Sequence, residues 1–194
     1  MTAYEYGRIG KLNESLHKEQ VAPELVSQIM EGGEAILKGT SPERKADWMR
    51  EAMNRMDELL EPGVRQAVRE DCSCCLGGKR EALVKAIAKR GGTLEERVSA
   101  ANETQFVFGH SVTLEEDGQI VVRFVPDDSV HNRCVCLPQS RRPISETYCY
   151  CCGGHIKHHL AIALGRSLEM RVRSSALSSG GERPCSFTFR VKDH

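Results

Sequence analysis

Residues 153–191, GGHIKHHLAIALGRSLEMRVRSSALSSGGERPCSFTFRV, decide the fold class. The stretch changes period as it runs. Gly153-Gly154 opens a segment whose apolar residues continue to about Leu164, and Gly165 closes it, which predicts a helix. Leu168, Met170 and Val172 then alternate with Glu169, Arg171 and Arg173, the period of a half-buried strand. Ser178 to Pro184 supply a turn. After it Cys185, Phe187, Phe189 and Val191 alternate with Ser186, Thr188, Arg190 and Lys192. A helix followed by two strands of period two implies an antiparallel sheet with at least one helix packed on it.

Upstream, residues 105–125 predict a hairpin. Phe106 and Phe108 alternate with other residues, QIVVRFV is rich in β-branched side chains, and EEDG between them is a turn signal. Residues 127–148, with Pro138 and Pro143, read as loop. Before residue 104 the pattern is helical. Pro23 suits a first turn, with Leu25, Val26, Ile29 and Met30 on one face. Ser41 offers a cap with Pro42 behind it, and Trp48, Met49, Met53, Met56, Leu59 and Leu60 follow at helical spacing, a stripe that reads as core. Pro62 and Gly63 end that helix. KREALVKAIAKR is a further helix closed by Gly91-Gly92, and Thr93 with Glu96 forms a capping box for the next. The expected class is α+β: a helical N-terminal region, 1–104, followed by an antiparallel sheet packed with helices, 105–194, the two forming one cooperative unit.

The 194 residues carry 27 Lys+Arg and 27 Asp+Glu. Neither half is strongly basic, so a nucleic-acid surface is not expected. No apolar run approaches a membrane span, and the N-terminus lacks a basic-then-apolar leader, so the expected location is the cytoplasm. A thiol-reducing compartment gives the cysteines their meaning. There are nine, and eight fall in three clusters: Cys72, Cys74 and Cys75; Cys134 and Cys136; Cys149, Cys151 and Cys152. Clustering favours metal ligation or redox chemistry over a disulfide framework.

The first and third clusters echo each other. CSCCLGGKREAL and CYCCGGHIKHHL both read C-x-C-C, then two glycines, then a basic helix. A helix N-terminus favours the thiolate, the form that binds metal or attacks an electrophile. Cys72 with Cys75, and Cys149 with Cys152, have the C-x2-C spacing that zinc sites use. These four are the first candidate ligand set. Cys134 and Cys136 are alternatives to either pair, and His155 is the best non-cysteine donor. Zinc is the expected metal and an iron–sulfur cluster the alternative. His158 and His159 read as surface residues, and His110 as a sheet residue. Competing readings are thiol redox chemistry, including a disulfide between clusters, and reduced cysteines that only fill the core. An enzyme is a further alternative, with Cys149 or Cys152 as nucleophile and His155 as base, or with zinc-activated water.

The run YCYCCGGHIKHHLAIALG, then MRVRSSAL, then GGERPCSFTFRV, resembles the C-terminal half of the 4-vinyl reductase domain family and the related aminothiazoline-carboxylate hydrolase-like proteins. The resemblance covers about 45 residues. It rests on Ser174 or Ser175, Gly180, Gly181, Cys185 and Phe187. It implies a sheet packed by helices around a small-molecule pocket, with a cysteine-linked metal in some members. The excess of cysteines here departs from that pattern. The expected function is therefore a zinc-binding, cysteine-rich protein with a ligand-binding or sensor-type domain, a small molecule as its partner and a homodimer as a possible assembly.

Overall fold

The structure is a computed structural model that describes residues 4–192. Six helices precede the sheet: α1 (Gly7–Lys18), α2 (Pro23–Ile29), α3 (Pro42–Leu59), α4 (Pro62–Asp71), α5 (Gly78–Arg90) and α6 (Leu94–Asn102). A single helical turn, α7 (Gln105–Phe108), leads to strands β1 (Ser111–Leu114) and β2 (Ile120–Arg123). After a long loop come α8 (Tyr150–Leu164), β3 (Leu168–Ser174) and β4 (Ser186–Val191). The class is α+β, with the helices gathered in the N-terminal part. Among the described residues no helix is long and apolar enough to cross a membrane.

Local chemistry starts these helices. Ser41 Oγ accepts from Arg44 N at 3.3 Å, with Pro42 in the first turn. Thr93 and Glu96 complete the capping box, at 2.8 and 3.3 Å. Pro62 does more than stop α3: it stands in the first turn of α4, where its missing N–H costs nothing. The methionine stripe is core, with Met49, Met53 and Met56 almost fully buried. Each such side chain contributes roughly 1.5–3 kcal/mol by leaving water.

The four strands run antiparallel in the order β1-β2-β4-β3. Register places Ile120 opposite Phe189 and Phe189 opposite Met170; one pair on, Val122 meets Phe187 and Phe187 meets Val172. Ile120, Val122, Phe187, Phe189 and Met170 are buried on one face. The start of α8 lies on it: a Cβ on Gly153 would sit 2.6 Å from Met170 Sδ and 3.2 Å from Phe187 Cδ1. Helix α8 also packs against α4, α5 and α6, so the expected 105–194 region is wrapped by the expected 1–104 region.

Three local expectations differ from the structure. The hairpin begins at Ser111, not 105. Gln105–Phe108 coil instead, burying Phe108 while Phe106, 53 % exposed, lies under the Arg80 guanidinium at 4.4 Å. An alternating Phe pair fits a strand and a helical turn equally until one ring finds a cation. His110 consequently stands exposed before β1 rather than within a strand. Finally, α8 starts at Tyr150, after a 3₁₀ turn at Glu146–Cys149 capped by Ser145, so its cysteines lie inside the helix rather than ahead of it.

Candidate functional site

The three cysteine clusters converge at the first turn of α8. The first cluster follows α4, where Cys72 caps the helix and Cys74 and Cys75 lie exposed in the loop toward α5. Two histidines of α8 bind that loop. His155 Nδ1 meets Cys74 O at 2.8 Å, and His159 Nε2 meets Cys75 O at 3.2 Å. His155, the expected metal donor, is thus engaged with backbone. His159 is fully buried rather than on the surface; burial holds its pKa at about 4, against the opposing bond to Cys75. It is therefore neutral at pH 7, and its Nδ1 has no partner among the described residues. Ser73 Oγ donates to Cys151 O at 3.0 Å, tying the first cluster to the third through a side chain as well.

At the centre are Cys136, from the long loop, and Cys152, from α8. Their sulfurs lie 3.9 Å apart. Thiol contacts from Cys134 and Cys152 hold the Cys136 pKa well below the ordinary thiol value despite burial, with help from Arg8 and Arg69. Contact with Cys152 likewise lowers Cys151, again against burial and with help from Arg69. Cys152 and Cys134 move upward as the neutral members of these contacts. Within this array the shifts are reciprocal: a sulfur that accepts from a neighbouring thiol is lowered, and the thiol that donates is raised.

Arg69 explains why negative charge collects here. It is 3 % exposed; one nitrogen donates to Tyr148 O at 3.2 Å, its guanidinium lies 4.8 Å from the Tyr148 ring centre, and its Nε has no partner. Burial opposes its charge; of the groups that act the other way, Cys151 is itself lowered in pKa, whereas Tyr148 and Cys152 are raised. Arg8 donates to Cys136 O and feels Tyr148, Tyr6, Cys136 and Cys151. Among the described residues neither arginine forms an ion pair with a carboxylate. A buried guanidinium without a counter-charge is costly, so Arg69 favours the thiolate form of its sulfur neighbours.

The other cysteines face elsewhere. Cys149 Sγ lies 2.9 Å from Ser175 Oγ, just past the end of β3, and burial pushes its pKa up to about 12, the opposite of what a nucleophile needs. Cys72 Sγ reaches Ser15 Oγ at 3.5 Å on α1. Cys185 accepts from Ala176 N at 3.3 Å. The set Cys72, Cys75, Cys149 and Cys152 is therefore not gathered round one point. Among the described residues no three His, Cys, Asp or Glu side chains are placed to hold one ion. A tetrahedral zinc with Zn–S near 2.3 Å holds its sulfurs about 3.8 Å apart. Cys136 and Cys152 match that edge, so they fit two positions of a zinc site, and among the described residues no further donor completes it.

Sequence reading missed Arg8, Arg69 and Cys151. Arg69 follows Val68 in an amphipathic helix and looks like any solvated arginine. Cys151 carried a usable signal, since it is adjacent to Cys152 in the glycine-flanked cluster. No curated protein matches the chain. A family model does match, over residues 11–185, and with that span nearly all of the converging segments fall inside it: the chain belongs to the family of unknown function DUF6144.

Proposed function

We propose that the protein carries out thiol–disulfide chemistry at Cys136 and Cys152. The observation that carries this reading is the 3.9 Å pair of sulfurs beside two arginines that form no ion pair with a carboxylate among the described residues. A dithiol of this kind needs one thiolate to attack and one neighbouring thiol to resolve, and Cys136 and Cys152 have those roles. The Cys136 thiolate attacks one sulfur of an incoming disulfide, forming a mixed disulfide and releasing a thiolate. Cys152 then attacks Cys136 Sγ, its proton passing to a released thiolate. The sulfurs close from 3.9 Å to the roughly 2.05 Å of a disulfide. The products are a Cys136–Cys152 disulfide and two small thiols, so the protein loses two electrons and the substrate gains them.

A second reading is favoured by the same 3.9 Å spacing, which suits two sulfurs on one zinc ion with Arg8 and Arg69 balancing thiolate charge. One experiment separates the two. Protein purified under reducing conditions without chelator is analysed for metal, then oxidised mildly, and its cysteine-containing peptides are mapped. A Cys136–Cys152 linked peptide forming first, from metal-free protein, supports the dithiol. Stoichiometric zinc released when Cys136 is alkylated supports the metal. Nine thiols that react without order, in protein that holds no metal, would sink both.

A further inference from the structure

Cys136 and Cys152 offer two sulfurs to a common point. They come from different elements, the long loop and the first turn of α8, and their sulfurs stand 3.9 Å apart. Each residue is half-buried, so neither is sealed from solvent. Structural zinc asks for four donors. Among the described residues no three His, Cys, Asp or Glu side chains are placed to hold one ion. His155, three residues on from Cys152, is turned to Cys74 O at 2.8 Å. The surroundings of the pair are cationic. Arg8 donates to Cys136 O, and the buried Arg69 donates to Tyr148 O at 3.2 Å, one turn ahead of Cys152. Neither arginine forms an ion pair with a carboxylate among the described residues.

We infer that the reduced pair is a two-coordinate site for a soft monovalent cation, Cu(I), held between Cys136 Sγ and Cys152 Sγ. Three features select that ion. Thiolates are soft ligands, and soft ligands favour Cu(I). Cu(I) is satisfied by two thiolates on opposite sides, so the missing third and fourth donors that count against zinc are no obstacle to it. The two sulfurs of such a unit stand roughly 4.4 Å apart, about two metal–sulfur bonds, which is about half an ångström wider than the spacing found here. Charge agrees as well. Two thiolates on Cu(I) leave one net negative charge, whereas two on Zn(II) leave none. A single negative charge is what the buried, unpaired guanidinium of Arg69 lacks. In the binding step two S–H bonds break, two Cu–S bonds form, two protons pass to water and copper stays Cu(I). The inference does not rest on thiol–disulfide exchange. It uses the same two sulfurs in their reduced state, and it names a different ion from the zinc of the second reading.

The test is run without oxygen on fully reduced, metal-free protein, with the bicinchoninate complex of Cu(I) as both copper source and coloured competitor. The wild type is expected to withdraw one equivalent of copper per chain, and X-ray absorption at the copper edge to show two sulfur neighbours. Cys136→Ser and Cys152→Ser are each expected to weaken the affinity at least about a hundredfold, the upper end of what losing an outer-shell partner costs. Cys74→Ser with Cys75→Ser, both at exposed positions, is expected to keep the wild-type affinity. Copper retained by either inner variant, copper lost in the outer double variant, or three or four sulfur neighbours in the wild type overturns the two-coordinate site. The absorption measurement needs the wild type alone, so it decides the coordination even where a variant fails to fold. Mild oxidation of the same preparation separates this site from thiol exchange. A Cys136–Cys152 disulfide in protein that takes no copper at the pair overturns the copper site and leaves the exchange chemistry standing. One copper at the pair, in protein whose sulfurs form no disulfide, supports the copper site and removes the exchange chemistry.

Discussion

The two C-x-C-C motifs share a sequence pattern and have different fates. In the first, CSCCLGG, the helix ends at Asp71 and the cysteines enter an open loop, with Cys75 at φ 61°. In the second, CYCCGG, the chain is already helical at Tyr150 and carries its cysteines inward. The variable residue helps explain the split. Ser73 turns its hydroxyl onto Glu70 O and Cys151 O, engaging the end of α4 and tying it to α8. Tyr150 has no such short polar reach. The glycines differ too. Gly78, at φ +66°, supplies a left-handed backbone with open space around it. Gly154 has no such need and is required for closeness: a Cβ there would stand 2.8 Å from Glu70 O and 2.9 Å from Glu70 Cα. The same letters provide a hinge conformation in one motif and a contact surface in the other. The two motifs meet where Gly154 allows it.

The strongest way to break this contrast is Arg69→Met. Removing the buried guanidinium leaves the inner thiolates uncompensated, and we expect about 3–5 kcal/mol of lost stability in denaturant titrations. Iodoacetamide labelling of Cys136 at neutral pH should slow in the same variant, while the exposed Cys74 and Cys75 keep their rates. Equal slowing at all three would mean that Arg69 does not separate inner from outer thiols.

A pair of glycine variants gives the next effect. Gly154→Ala pushes a methyl group into the backbone of α4 and should cost about 1–3 kcal/mol. Gly78→Ala strains only its own backbone and should cost about 1 kcal/mol. Denaturant midpoints in the reverse order would show that the close approach is unimportant.

The smallest effect is in acid. Burial depresses His159 to about 4, below its unfolded value near 6.5. The unfolded chain then binds the extra proton first, so the stability from neutral His159 is present above about pH 6.5 and is lost as pH falls toward 4. We expect roughly 1–2 kcal/mol lost over that window, and His159→Gln should flatten it. An unchanged slope in the variant would show that His159 is not what joins the outer loop to α8.

Much of the fold was legible in the sequence. The capping box at Thr93, the proline starts at Pro23 and Pro42, the methionine stripe and the period-two strands at 168–174 and 186–191 all report local geometry, and each stands where it was read. Phe106 and Phe108 were misleading because two apolar residues two apart fit either period. At the site, the sequence pointed to the cysteines and to the start of α8. It did not show that Cys149 turns toward Ser175, or that His155 and His159 bind backbone carbonyls of the first cluster.

Sequence alone determined the elements, because caps, prolines and hydrophobic period act over a few residues. It also determined that the cysteines would be concentrated in three places. Tertiary structure alone decided which sulfurs meet. Cys136 and Cys152 come within 3.9 Å because the long loop crosses the first turn of α8, and Arg69 joins them because α4 packs against that helix at Gly154. Charge at the centre depends on burial, and burial is a property of the assembled helices, not of any one segment.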